Sequence, residues 1–152
     1  MNLPDPFDLD FTHAKEAFFV SARPRPAHPR NNVVLILDDD TLEAESMARM
    51  LGAAGYKAVV ETGAAEALRH MVALGAPALI LIAPEFSGGN GIEFLKRLRA
   101  HPQLKDTAAI VCASRPDRRD FRRAIEAGAD GFMMRTFDAA VLIAAVHTVL
   151  AD

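Results

Sequence analysis

The sequence has a single cysteine, Cys112, among its 152 residues. One thiol excludes an intramolecular disulfide framework and any zinc site built from several cysteines. Set in an apolar run, Cys112 reads as a buried, reduced thiol of the kind a cytoplasmic protein keeps. The five histidines are scattered, without metal-ligand spacing. Positive charge is not in excess: the net charge is −3 and the isoelectric point about 5.9, so general electrostatic attraction to DNA or RNA is not expected. No apolar run reaches membrane-spanning length, and the N-terminus lacks the apolar core of a signal peptide. These absences point to a soluble, cytoplasmic protein of about one domain by length, and 51% hydrophobic residues suffice for a real core.

What is present is unevenly distributed. Residues 1–32 hold five of the nine prolines. The segment FDLDFTHAKEAFFVSA has the spacing of a short amphipathic helix, with Phe7, Phe11 and Phe18 near one face and Asp8, Asp10 or Thr12 as its cap. RPRPAHPR follows, and Pro24, Pro26 and Pro29 favour an extended, polyproline-like linker. Two readings stand for this extension: a partly disordered tail, or a helix whose aromatic face docks on the domain or a partner.

From Val33 onward strands and helices alternate. VVLILDDD, Val33–Asp40, runs five apolar residues straight into three carboxylates. The unbroken aliphatic run reads as a strand buried on both faces of a parallel sheet, and its acids would stand at the carboxyl edge, where open α/β sheets place their sites. Thr41 can cap a helix through LEAESMARMLGAAG, with Leu42, Met47, Met50, Leu51 and Ala54 apolar at helical spacing and Gly55 at its end. Tyr56–Glu61 is a weaker strand, residues 63–75 a helix, Ala78–Ala83 a buried strand, PEFSGGN a loop, and a helix starts at Gly91. Thr107–Ala113, a basic helix Asp117–Ala127, a strand Gly131–Met134 and a helix Asp138–Ala151 complete the pattern. Five βα units joined by short loops imply a flavodoxin-like doubly wound fold, a five-stranded parallel sheet in the order 2-1-3-4-5 with helices on both faces. The division is thus an extension, 1–32, and an α/β domain, 33–152.

In this order VVLILDDD, GYKAVVETGAAEAL, PALILIAPEFSGGNGIEFLKRLR and AGADGFMMRTF resemble the receiver domain of two-component response regulators, the CheY-like family, from Val33 to about Leu150. The resemblance implies a bacterial signalling module. It also implies phosphoryl transfer from a histidine kinase to an aspartate at the end of the third strand, beside Mg²⁺ held by an acidic pair. Asp38 and Asp39 take the pair positions. The aspartate position is Ala83, which has no nucleophile. The family's Ser/Thr falls on Ala113, with Ser114 one residue later and expected to point the other way. The family's Lys falls on Arg135 and the following Pro on Thr136, while the switch aromatic is kept as Phe132. The departures imply an atypical, phosphorylation-independent pseudo-receiver with no catalysis, acting through protein–protein interaction.

The expected remnant pocket is therefore Asp38, Asp39, Ala83, Ala113 and Arg135. A guanidinium suits carboxylates through its planar fork, so Arg135 is expected to pair with one or both acids. No metal is assigned; a Mg²⁺ at Asp38 and Asp39 is the weaker alternative, since the third carboxylate is missing and Arg135 competes. Glu85 and Ser87 are poor substitute acceptors, because loop side chains would not share the geometry of position 83. Arg115, Arg118, Arg119, Arg122 and Arg123 form either a solvated basic face balanced by Asp117, Asp120 and Glu126, or a surface for an acidic partner or a phosphate-rich ligand. The alternative function is accordingly a ligand-sensing receiver for a cyclic dinucleotide or a divalent cation. The resemblance implies a protein partner, a histidine kinase or another regulator, and a homodimer through the fourth helix, fifth strand and fifth helix. The last helix is apolar nearly all round, and Val141, Leu142, Ala145 and Val149 serve the core. That leaves Ile143, Val146 or Leu150 partly exposed for such a contact. With no helix-turn-helix following in this sequence, direct DNA binding is not expected.

Overall fold

The computed structural model describes residues 31–86, 89–115, 118–135 and 138–150, together with the backbone of Phe18–Val20. In chain order the elements are β1 (Phe18–Val20), β2 (Val33–Leu37), α1 (Thr41–Ala53), β3 (Lys57–Glu61), α2 (Ala64–Leu74), β4 (Leu79–Ile82), β5 (Glu85–Phe86), β6 (Gly89–Asn90), α3 (Gly91–Ala100), β7 (Ala108–Ala113), α4 (Arg118–Glu126), β8 (Gly131–Met134) and α5 (Ala139–Leu150). The main sheet has the order β1-β8-β7-β4-β2-β3. Its five strands from β3 across to β8 are parallel. Numbered among themselves they read 2-1-3-4-5, the order expected from the sequence. β5 and β6 form a two-residue antiparallel hairpin inside the loop after β4.

The alternation of side chains along each strand divides the core into two layers. Val34 and Ile36 of β2, Leu79 and Leu81 of β4, and Ile110 and Cys112 of β7 face α1 and α5, where Met47, Leu51, Leu142 and Val149 meet them. Leu35, Leu37, Ile80, Ile82, Val111 and Phe132 face the other way, onto Met71 of α2, Leu95 and Leu98 of α3, and Phe121 of α4. Each fully buried aliphatic or aromatic side chain contributes about 1.5–3 kcal/mol relative to exposure. With both faces covered, the strands have no need of polar alternation, which is why they read as continuous apolar runs.

Three expectations are corrected. The helix expected over FDLDFTHAKEAFFVSA does not run through Phe18–Val20, which form a strand antiparallel to β8, with Phe18 opposite Met133, Phe19 opposite Phe132 and Val20 opposite Gly131. Aromatic and β-branched residues favour extended backbone, and the outer edge of β8 offers backbone groups that need partners, so pairing overrides helical spacing. The rest of that stretch, with Phe7, Asp8, Asp10, Phe11 and Thr12, lies outside the described residues, as do Pro24, Pro26 and Pro29. In α1 the cap is Asp40 rather than Thr41: its carboxylate accepts from the Glu43 N–H at 3.2 Å. Leu42 leaves the apolar stripe altogether and is 80% exposed, and Ala54, outside the helix end, is exposed as well. Val146 is fully buried, so of the residues proposed for an outer face of α5 only Ile143 and Leu150 are partly exposed.

An internal clasp fixes the amino edge of the sheet. Arg99 of α3 donates to the carbonyls of Gly128 (2.9 Å), Lys105 (2.9 Å) and Thr107 (2.6 Å), and to Asp130 Oδ2 at 3.0 Å. Asp130 is 1% exposed and also accepts the Ala109 N–H at 2.9 Å. One ion pair thereby joins α3, the entry to β7 and the entry to β8. No helix among the described residues is long and apolar enough to cross a membrane.

Candidate functional site

Strands β2, β4, β7 and β8 end side by side at the carboxyl edge, and the residues that follow them meet there. The run of three acids is split by this geometry. Asp38 turns inward and is 2% exposed, whereas Asp39 and Asp40 are exposed. Asp38 Oδ1 accepts the Asp40 N–H at 3.0 Å, a turn that directs the chain into α1. Asp38 Oδ2 accepts from Arg135 Nη2 at 2.7 Å. Arg135 leaves β8 with its backbone N–H donating to Ala113 O at 2.8 Å, which aims the side chain across the ends of β7 and β2. Its Nη1 donates to the Glu43 carboxylate, in the first turn of α1, and to Ser114 Oγ.

Arg135 thus joins four elements: β8, which carries it, the end of β2 through Asp38, α1 through Glu43, and the end of β7 through Ser114. The Arg135 side chain is 10% exposed and that of Asp38 3%, while Glu43 at 28% still reaches water. Burial raises the Asp38 carboxyl above its ordinary range, and the Asp40 N–H and the Arg135 charge pull it back only in part. For Arg135, burial works against the charge, but Asp38 and Glu43 outweigh it and the guanidinium holds its proton more firmly than usual.

Ala83 directly follows β4, is 2% exposed, and donates its N–H to Leu37 O at 2.9 Å. Its carbonyl lies against Gly91, where an added Cβ would come within 1.9 Å of Ala83 O. Glycine at the start of α3 therefore lets the helix pass over the end of β4. Ala113 ends β7 and is 1% exposed, so neither it nor Ala83 offers a hydroxyl or carboxylate at its own position. Phe132 is fully buried and packs edge-on against Phe121, with ring centroids 5.6 Å apart at 81°.

A cleft of about 420 Å³ opens above these residues, lined by the acids Asp38, Asp39, Asp40, Glu85 and Asp120 and by two cations, Arg115 and Arg135. The structure brings Asp38, Ala113 and Arg135 together as expected from the sequence, and Asp39 stands at the rim. It does not gather the five arginines. Arg115 borders the cleft, whereas Arg123 borders a separate groove with Asn90, Ile92, Glu93, Lys96 and Glu126. Arg118, Arg119 and Arg122 are exposed along α4. Ser87, Asp117 and Thr136 lie outside the described residues.

Sequence reasoning missed Glu43 and misjudged Ser114. The rule that successive side chains alternate holds only within a strand; β7 stops at Ala113, and Ser114 bends back toward Arg135. Glu43 had a legible signal, an acid in the first turn of a helix that starts at the carboxyl edge. Among the described residues no three His, Cys, Asp or Glu side chains are grouped to hold a metal ion.

Comparison with known proteins agrees with this architecture. The model of the response regulator receiver domain family matches residues 34–147. Over 117 residues the chain is 26% identical to the phosphate regulon transcriptional regulatory protein PhoB of Escherichia coli, covering 77% of this chain and 51% of that protein. The chain therefore spans about half the length of this relative. A protein described as a response regulator from Chloroflexus aurantiacus superposes with a TM-score of 0.75 at 27% identity, over 81% of this chain and all of that one. The chemotaxis response regulator CheY4 of Vibrio cholerae, at 22% identity, gives a TM-score of 0.72 over 79% of this chain and 99% of that one, a likeness of fold.

Proposed function

The chain belongs to the response regulator receiver domain family, and on that footing we propose that it is a pseudo-receiver: a signalling module that acts by protein–protein contact without taking up phosphate. Receiver domains are signalling modules that interact with histidine kinases and other regulators. What supports the narrower reading is the chemistry of the residues at the pocket's key positions. Where the resemblance calls for a nucleophilic carboxylate stands buried Ala83, and where it calls for a metal beside an acidic pair the Arg135 guanidinium already holds Asp38 at 2.7 Å.

The residues present do not fit the divalent ion that the family implies. Both oxygens of Asp38 are engaged, one by the Asp40 N–H and one by Arg135. Asp40 is turned to cap α1. A cation entering here meets a fixed positive charge at hydrogen-bond distance from its best ligand, and at that distance like charges repel by several kcal/mol at the effective dielectric of a protein surface, about 4 kcal/mol at 4 Å. The cleft suits a cyclic dinucleotide no better, since five carboxylates outnumber two arginines along its lining and would repel phosphates.

The test is intact mass after incubation with a small phosphodonor and Mg²⁺. The expected result is no added phosphate on the native chain, and stoichiometric uptake once Ala83→Asp, Ala113→Thr and Arg135→Lys are combined. A stoichiometric adduct on the native chain overturns the reading.

A further inference from the structure

We propose that the outer edge of β3 is a docking surface for a second copy of this chain, paired antiparallel about a two-fold axis at Val59. The first observation is which backbone groups are open. β1 covers the β8 end of the sheet, whereas β3 stands at the other end, with β2 on one side and no described strand on the other. The Lys57 N–H donates to Asn32 O at 2.8 Å, and Glu61 O accepts the Asp38 N–H at 3.1 Å, so Lys57, Val59 and Glu61 direct their peptide groups at β2. Successive residues of a strand alternate, so Ala58 and Val60 present theirs to the open edge. Outward groups of this kind are a template for another strand.

The sequence of β3 is the second, because KAVVE is complementary to itself when reversed. A two-fold axis at Val59 sets Lys57 of each copy opposite Glu61 of the other, Ala58 opposite Val60, and Val59 opposite Val59. Ala58 and Val60 then form hydrogen-bonded pairs that exchange both N–H···O bonds, so every outward group between them is used. Lys57 with Glu61, and Val59 with Val59, become the non-hydrogen-bonded pairs, whose Cα atoms stand about 4.5 Å apart and whose side chains meet most closely. Sliding the copies by one residue sets outward groups against inward ones, and sliding by two leaves a charge opposite Val59. A lysine alone on an edge strand repels a visiting strand. With an acid four residues on, the same lysine is half of a matched pair when the visitor is the chain's own copy.

The surroundings are the third. Lys57, Val59 and Glu61 share the face that carries α2: Lys57 and Val59 line a groove of about 320 Å³ with His70 and Leu74, and Glu61 Oε1 lies 3.5 Å from His70 Nδ1. Lys57 is exposed and makes no ion pair among the described residues, and Glu61 has a second carboxylate oxygen to offer a cation. Leu74 is 75% exposed, so apolar surface flanks the open edge. The contact closes on itself, because a two-fold pairing leaves neither copy with a further β3 edge. Five residues a side make a small interface, and the dimer is transient. This face is not the surface of α4, β8 and α5 that the family resemblance implies for a homodimer. Neither Ala83 nor Arg135 takes part, so the dimer and the reading of the pocket fail independently.

The experiment is residue-resolved hydrogen exchange of the full chain from micromolar to millimolar concentration, with sedimentation giving the mass. The Ala58 and Val60 amides are expected to gain protection as concentration rises, while those of Lys57 and Glu61, held by β2, are protected throughout. Ala58→Pro removes an outward donor, leaves the β2 ladder intact and is expected to abolish the dimer. Lys57→Glu and Glu61→Lys are each expected to weaken it about tenfold, roughly threefold for each of the two symmetry-related pairs reversed. Carried on one chain, the two reversals restore it; mixed as two single variants, they favour the mixed dimer over either self-pair. Both reversals change side chains that are exposed or half-buried, so the mixed dimer decides the matter even where the proline variant fails to fold. A chain that stays monomeric at millimolar concentration overturns the proposal, as does concentration-dependent protection that passes over Ala58 and Val60. A dimer that survives Ala58→Pro overturns the strand contact, and failure of the double reversal to restore pairing overturns the register.

Discussion

Replacing Arg135 by methionine tests the pocket most directly. The apolar stem and its length are kept, and only the charge and its hydrogen bonds go. Glu43 is 28% exposed and can turn to water, so the loss falls on Asp38, whose side chain is 3% exposed and keeps only the Asp40 N–H. Breaking a buried pair by removing one partner costs about 3–5 kcal/mol. A ceiling follows from the proton. Stranded in the fold, Asp38 escapes its charge by protonating, which at pH 7 costs no more than about 4 kcal/mol against an unfolded carboxyl of pKa about 3.9, and at pH 5 about 1.5 kcal/mol.

The expected loss is therefore about 3–4 kcal/mol at pH 7, a fall in Tm of roughly 10 °C for a chain of this size, shrinking to about 1.5 kcal/mol at pH 5. The sign agrees with the direction of the shift. A carboxyl raised in the folded state prefers its proton there, so its contribution is complete below the unfolded pKa and declines as pH rises through the folded one. Urea unfolding of native and variant chains at pH 5, 6 and 7 measures it. Adding Asp38→Asn to the variant removes the stranded charge and recovers most of the loss. A loss below 1 kcal/mol at pH 7, or one equal at pH 5 and pH 7, refutes the reasoning.

Other substitutions probe the frame around the site. Asp130→Ala strips Arg99 of its carboxylate and leaves the buried Ala109 N–H without an acceptor; about 3 kcal/mol should be lost by urea unfolding. Gly91→Ala drives a methyl group into Ala83 O, so α3 must shift; a loss above about 2 kcal/mol is expected, against about 1 kcal/mol gained were the glycine merely an exposed helical residue. Burial pushes the Cys112 thiol up to about 12, so at pH 8 a thiol reagent should label the native chain only at the rate of global unfolding, and fast labelling would show the β7 core to be open.

The fold was legible because a parallel sheet covered on both faces leaves long apolar runs, and VVLIL and LILI sit where β2 and β4 form. The opposition of Asp38 and Arg135 was legible because β2 and β8 end at the same carboxyl edge of the sheet, where a long arginine side chain can reach across the strands between them. Three kinds of feature were not legible. Whether a carboxylate turns in or out depends on one turn, and DDD gives no sign that Asp38 is buried while Asp40 caps a helix. A strand of three residues such as β1 exists only because the β8 edge is there to receive it, so helical spacing in the local sequence misled. The Arg99 clasp depends on three carbonyls brought together by the finished fold, and carbonyls carry no sequence signal.

How freely the pocket can change shape follows from the Arg135 tie. A two-state switch needs alternatives separated by no more than a few kcal/mol, so that a ligand of modest differential affinity moves the balance. Arg135 ties four elements at once, and a state that breaks its buried pair lies about 3–4 kcal/mol higher, which leaves it populated at well under 1%. The cation that holds Asp38 is covalently part of β8. Phe132, fully buried against Phe121, has no room to alternate without opening the same core.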